Sequence, residues 1–254
     1  MTYKDKKTKK DITDMRKGGH LLAAMLDELK VMAKVGLDVW ELEKTFIRQC
    51  QDNDVIPACL NYSMAGFPPF PTGLCLSINE QAVHCFPVKG RILQKDDVVT
   101  IDTVIKYNRV FLDCAITFGV GHLQEDKQRL IDTTQKALDE SIKKIKAGVK
   151  TGVISNTIQK IIEKEGYSVL RDYAGHGIGL SMHEYPEIPC YGNKTEGAIL
   201  EPGMAVSIEP LVCEKNYVLQ HNNFWETKTA DGGYFAQIEH TVLVTPQGYE
   251  VLTK

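Results

Sequence analysis

Four carboxylates sit where strands should be apolar. Asp102 follows Ile101 in VVTIDTVI, and Glu209 takes the matching place in AVSIEPLV. Asp113 and Glu239 stand at the third position of FLDCAITF and QIEHTVLV. A carboxylate in a half-buried strand is costly unless it is paired or ligates a cation. For one such residue a buried ion pair or an edge-strand charge is explanation enough. Four in matched pairs repel one another, so either they share divalent metal or the strands splay them apart. Asp102 and Asp113 are eleven residues apart on TIDTVIKYNRVFLD, which can close as a hairpin near residues 107–109 and face both acids into one space. His176, in YAGHGIGL, is a candidate nitrogen ligand, with glycines that let a ring approach closely. Oxygen-rich ligation with one imidazole suits Mn, Fe, Co or Zn, and carboxylates could bridge two ions. GHGIG does not match the dinucleotide fingerprint, and HEYPE has glutamate where the zincin motif needs its second histidine.

The elements that would position these groups recur in order. Apolar residues at helical spacing from Asp14 to about Lys34 predict a helix, and Asp38-Val-Trp-Glu41 has the pattern of a capping box opening a second. After the proline-rich loop NYSMAGFPPFPTG, strands are expected in LCLSI, VVTIDTVI and VFLDCAITFGV. The order then repeats, with helices over 128–146 and 152–164 and strands in SVLRDYA, AVSIEPLV and FAQIEHTVLVT. VHCFP and MHEYP place His84 and His183 in matching His-x-x-Pro stretches. The expectation is one α+β domain over 13–254, with pseudo-repeats of about 13–123 and 124–254, a shared antiparallel sheet and outer helices.

With 43% apolar and 25% charged residues the composition is that of a soluble globular protein, and a net charge of −3 gives no footprint for DNA or an anionic membrane. The lysines of MTYKDKKTKK are the exception, and residues 1–12 are expected to form a solvated, unordered tail, with a transient contact to ribosomal RNA as its one suggested partner role. Seven cysteines without a C-x-x-C pair argue against a disulfide framework and a thiolate zinc site. A reducing, cytoplasmic setting is expected, and no run approaches the length of a membrane span.

Jointly, CLSINEQAVH, TID with a second Asp eleven residues on, GHGIGLSMHEYP, SIEP and WETKTADGGYFAQIEHTV resemble the methionine aminopeptidases of the shorter, bacterial type. That resemblance covers nearly the whole chain after the lysines and implies a pita-bread fold of two pseudo-symmetric halves. It implies two divalent metal ions (Co, Mn, Fe or Zn) held by Asp102, Asp113, His176, Glu209 and Glu239. Water activated by those ions would attack the peptide carbonyl, with Glu209 moving the proton to the leaving amine. His183 would stabilise the oxyanion and His84 would hydrogen-bond the substrate backbone. Phe70, Cys75, Met182, Trp225 and Tyr62 would form the pocket for the methionine side chain. The implied substrate is the N-terminal methionine of nascent polypeptides with a small second residue; a monomer is expected.

Some positions depart from the family pattern. Met182 stands where an aromatic is usual, Cys85-Phe86 replaces Gly-(Ile or Val), and the 62–73 loop is longer. These touch the pocket rim and leave the ligand set intact. The competing readings are an Xaa-Pro aminopeptidase or dipeptidase of the same fold, and a non-catalytic binding protein.

Overall fold

A computed structural model describes residues 7–254. Helix α1 (Lys9–Met32) opens at Thr8, whose hydroxyl accepts from Asp11 N while the Asp11 carboxylate accepts from Thr8 N. The helix therefore begins inside the stretch expected to be an unordered tail. Asp11 also receives both forks of the Arg109 guanidinium at 2.6 Å, which ties this end down. The tail expectation thus fails for residues 7–12, and its remainder, residues 1–6, lies outside the described residues. Helix α2 (Trp40–Asp52) lacks the capping box expected between Asp38 and Glu41. Asp38 instead accepts from Trp40 N and from Gly90 N, bridging to a neighbouring loop, and Glu41 pairs with Lys44.

Strands β1 (Ile56–Pro57), β2 (Cys75–Ile78), β3 (Val98–Tyr107) and β4 (Val110–Gly119) follow. The β3–β4 turn is Asn108-Arg109, with Asn108 at φ 53°, where a short amide side chain is tolerated. Helices α3 (Glu125–Ile142) and α4 (Thr151–Lys164) lead into β5 (Ser168–Val169), β6 (Ala174–Gly177), β7 (Glu184–Pro189), β8 (Ala205–Ile208) and β9 (Leu211–Cys213). The chain ends through β10 (Leu219–His221), β11 (Thr227–Thr229), β12 (Phe235–Gln237), β13 (Glu239–Val244) and β14 (Tyr249–Val251). Strand β7 went unread in the sequence because of its two prolines, which an edge position tolerates.

The central sheet runs β1-β3-β4-β13-β8-β6-β7, with β2 on β3 and β14 on β13. Every pairing in it is antiparallel. The β4–β13 ladder joins strands from the two sequence repeats. Met15, Leu22, Leu26 and Phe46 of α1 and α2 pack with Ile101 and Leu112. Leu130, Leu138, Ile154 and Ile158 of α3 and α4 pack with Val206 and Val242. The protein is therefore α+β, with one antiparallel sheet whose strands carry the acids.

Candidate metal centre and substrate cavity

Register decides which side chains meet. Ala115 pairs with Asp102 on one side and with Glu239 on the other, so the two acids flank a buried methyl group. Asp113 precedes Ala115 by two residues and shares its face. Across the next ladder His240 pairs with Ile208, which brings Glu239 beside Glu209 at the end of β8. Glu209 is not mid-strand as expected: it occupies the break between β8 and β9, where the chain is free of the ladder. Gly177 pairs with Val206, which sets His176 beside Ser207. The Ser207 hydroxyl donates to Glu239 Oε1, and the Thr241 hydroxyl both accepts from Asp113 N (3.0 Å) and donates to Asp113 O (2.8 Å).

Ligand-type atoms of Asp113, His176 and Glu239 lie within 4.8 Å of one another. His176 Nδ1 is 2.9 Å from the Gly177 carbonyl, an oxygen that can only accept. That bond places the ring proton on Nδ1 and leaves the Nε2 lone pair facing Asp113 Oδ2 at 3.7 Å. Burial pushes the ring's pKa down to about 4, so near neutrality the imidazole turns an unprotonated nitrogen to the carboxyl group. Burial also raises all four carboxylates, Asp102 to about 7 and Glu209 to about 8, and neighbouring carboxylate charge adds to the shifts of Asp113, Glu209 and Glu239. Among the described residues, Asp113 Oδ1 is buried with no hydrogen-bond partner. A divalent cation resolves each of these mismatches, so the donor set fits a metal site.

Sequence reasoning missed Gln237. Its buried amide Nε2 stands 3.3 Å from Asp102 Oδ2 and 3.4 Å from both Glu209 Oε2 and Glu239 Oε2. The only signal was its position two residues before Glu239, a spacing that keeps one face of a continuous strand.

All five expected ligands line one cavity of about 430 Å³, together with Tyr62, Phe70, Cys75, His84, Met182, His183 and Trp225. One part of it is apolar, built from Cys59, Phe70, Cys75, Val104 and Trp225; Cys59 was not anticipated. The rings of His176 and His183 are 4.5 Å apart between centroids, and Tyr62 Oη lies 3.5 Å from His183 Nδ1. His84 adopts φ 60° and sets its ring edge-on to Tyr173 and Trp225. Trp225 Nε1 donates to Pro68 O at 2.9 Å, fastening the long proline-rich loop over the cavity.

Carboxylates and an imidazole gathered on one sheet face, opening into an apolar cavity, define a metallopeptidase-type centre. The chain belongs to metallopeptidase family M24, whose family model matches residues 13–246. It is 35% identical to methionine aminopeptidase 1 of Bacillus subtilis over 98% of both chains. It is 36% identical to the Escherichia coli methionine aminopeptidase over 97% of this chain and 92% of that one. The solved methionine aminopeptidase of Thermotoga maritima superposes with a TM-score of 0.93 at 35% identity, covering 98% and 99% of the two chains. This likeness identifies the architecture as the pita-bread fold. A prolidase from Pyrococcus horikoshii, at TM-score 0.76 and 20% identity over 63% of its chain, shares the fold alone.

Proposed function

We propose that this chain is a metal-dependent aminopeptidase that hydrolyses the bond after an N-terminal methionine, preferring a small second residue. The observation that carries the reading is the junction of an apolar cavity wall with the side chains of Asp102, Asp113, His176, Glu209 and Glu239, three of which lie within metal-binding reach of one another. Asp102, Asp113, His176, Glu209 and Glu239 would hold two divalent ions, of Co, Mn, Fe or Zn. When bound, such ions supply Lewis acidity and lower the pKa of water. Glu209, whose proton affinity burial raises, accepts the proton of the attacking water and delivers it to the departing amine. His183, whose pKa desolvation lowers and which is met at Nδ1 by the Tyr62 hydroxyl, turns Nε2–H to the carbonyl oxygen as it gains charge. His84 hydrogen-bonds the substrate backbone beside the scissile bond. Cys59, Phe70, Cys75, Met182 and Trp225 enclose the thioether, which favours soft, polarisable contacts.

The proposed substrates are nascent polypeptides, and the proposal includes a cytoplasmic, monomeric protein. Among the described residues no helix is long and apolar enough to cross a membrane. The test compares hydrolysis of Met-Ala-Ser and Ala-Pro after chelation and re-addition of single ions. Metal-dependent cleavage of Met-Ala-Ser is expected. Faster cleavage of Ala-Pro would move the chain to the proline-directed branch, and inertness with Co, Mn, Fe and Zn alike would leave a binding protein.

A further inference from the structure

We propose that Lys7 is a positioning residue for His183, acting through a buried ion pair with Glu184; the idea rests on the oxyanion role given to His183 above. Lys7 Nζ lies 2.8 Å from Glu184 Oε2, with the lysine side chain wholly buried and that of Glu184 only 8% exposed. The other carboxylate oxygen, Oε1, accepts from Leu180 N at 2.5 Å and Ser181 N at 3.0 Å. One carboxylate thus binds both the lysine and the inside of the short turn between Gly177 and Glu184, which are themselves a ladder pair. His183 is the last residue of that turn, so its ring direction follows from how Glu184 is held.

The turn is shaped around the lysine. A Cβ at Gly179 would sit 1.8 Å from Lys7 Cε, and φ at that glycine is +149°. Gly179 O accepts from Phe111 N at 2.7 Å, which fixes the turn against β4. The lysine is anchored in its own right by the Thr8–Asp11 cap, and Asp11 is gripped by Arg109 in the β3–β4 turn. A continuous set of contacts therefore runs from the hairpin bearing Asp102 and Asp113, through Asp11, Thr8 and Lys7, to Glu184 and His183. It registers the carbonyl-facing histidine against the ligand hairpin. Removing the ammonium would leave Glu184 buried without its cation, and such a carboxylate draws toward water or takes a proton. Either response loosens its hold on Leu180 and Ser181 and frees the His183 turn.

The test is a double-mutant cycle on the full, metal-loaded chain with Lys7→Met, His183→Ala and both together, reading kcat and KM on Met-Ala-Ser and metal affinity by calorimetry. Lys7→Met should lower kcat by about 10- to 100-fold, the range for losing a residue that orients a reacting group. KM should stay within about threefold and metal affinity should be unchanged. In the His183→Ala background the same substitution should change kcat less than about twofold, because the group it positions is gone. Lys7→Arg should recover most of the loss. If Lys7→Met folds poorly, Glu184→Gln, which keeps an acceptor for the turn amides, should show the same dependence on His183. Equal losses in both backgrounds, or a parental kcat in Lys7→Met, would overturn the positioning role while leaving that of His183 intact. A parental kcat in His183→Ala would instead overturn the oxyanion reading and this inference with it.

Discussion

His176 Nε2 faces Asp113 Oδ2 at 3.7 Å with its proton committed to the opposite nitrogen by the Gly177 carbonyl. A neutral imidazole nitrogen and a carboxylate held together in a buried site are a donor pair suited to a divalent cation. Asp113→Asn keeps the shape and removes the charge. It should lose at least one equivalent of bound metal by calorimetry and reduce kcat/KM by more than about 100-fold, larger than the usual loss of an outer-shell partner. A parental binding isotherm would show that Asp113 is not a ligand.

Metal should stabilise the fold as well as activate it. Burial, with neighbouring carboxylate charge at Asp113, Glu209 and Glu239, makes the ionised acids costly, and a bound cation offsets that cost, so chelation should lower Tm. An ion at 100 times its Kd adds about 2.7 kcal/mol, which at this chain length raises Tm by roughly 5–10 °C. Calorimetric scans with and without each ion measure it, and coincident scans would contradict the arrangement.

Gln237 donates toward three carboxylates at once. Gln237→Ala should therefore lower the Tm of the metal-free protein more than that of the metal-loaded protein, since a bound cation satisfies the same oxygens. An equal decrease in both states would mean that the amide serves packing only.

His84 carries a pH signature. Burial depresses its pKa from 6.5 to about 4, with the charge of His183 adding to the effect. Between those values the unfolded chain binds the proton and the folded chain does not, so this residue's contribution is full above pH 6.5 and is lost as pH falls toward 4. His84→Asn should flatten that part of the stability–pH curve, measured by urea unfolding at stepped pH. An unchanged slope would place the ring in water.

Much of this was legible from period-two patterning. Asp102, Asp113 and Glu239 interrupt apolar strands at matched positions, and a hairpin with a short polar turn can set the first two on one face. The strands bearing Asp102, Asp113 and Glu239 and the four helices were readable because local alternation and helical spacing report burial, whereas β6, which bears His176, was not read as a strand. Glu209 was misplaced because a strand and the break after it read alike in AVSIEPLV. Ser207 gave no signal and Gln237 only its spacing from Glu239, since an uncharged polar residue in a strand is commonplace until its neighbours are known. Strand β7 was hidden by prolines that only an edge can accept.

The amino acids by themselves determined which side chains could bind a cation and on which faces of their strands they lie, because those properties belong to residue type and to the local repeat of the backbone. Tertiary structure alone decided that β4 pairs with β13 with Ala115 between two acids, that Gln237 reaches three carboxylates, and that Lys7 closes on Glu184 across the chain. Those contacts join residues far apart in sequence. Long-range register is set by the packing of the whole sheet, and no short stretch of chain encodes it.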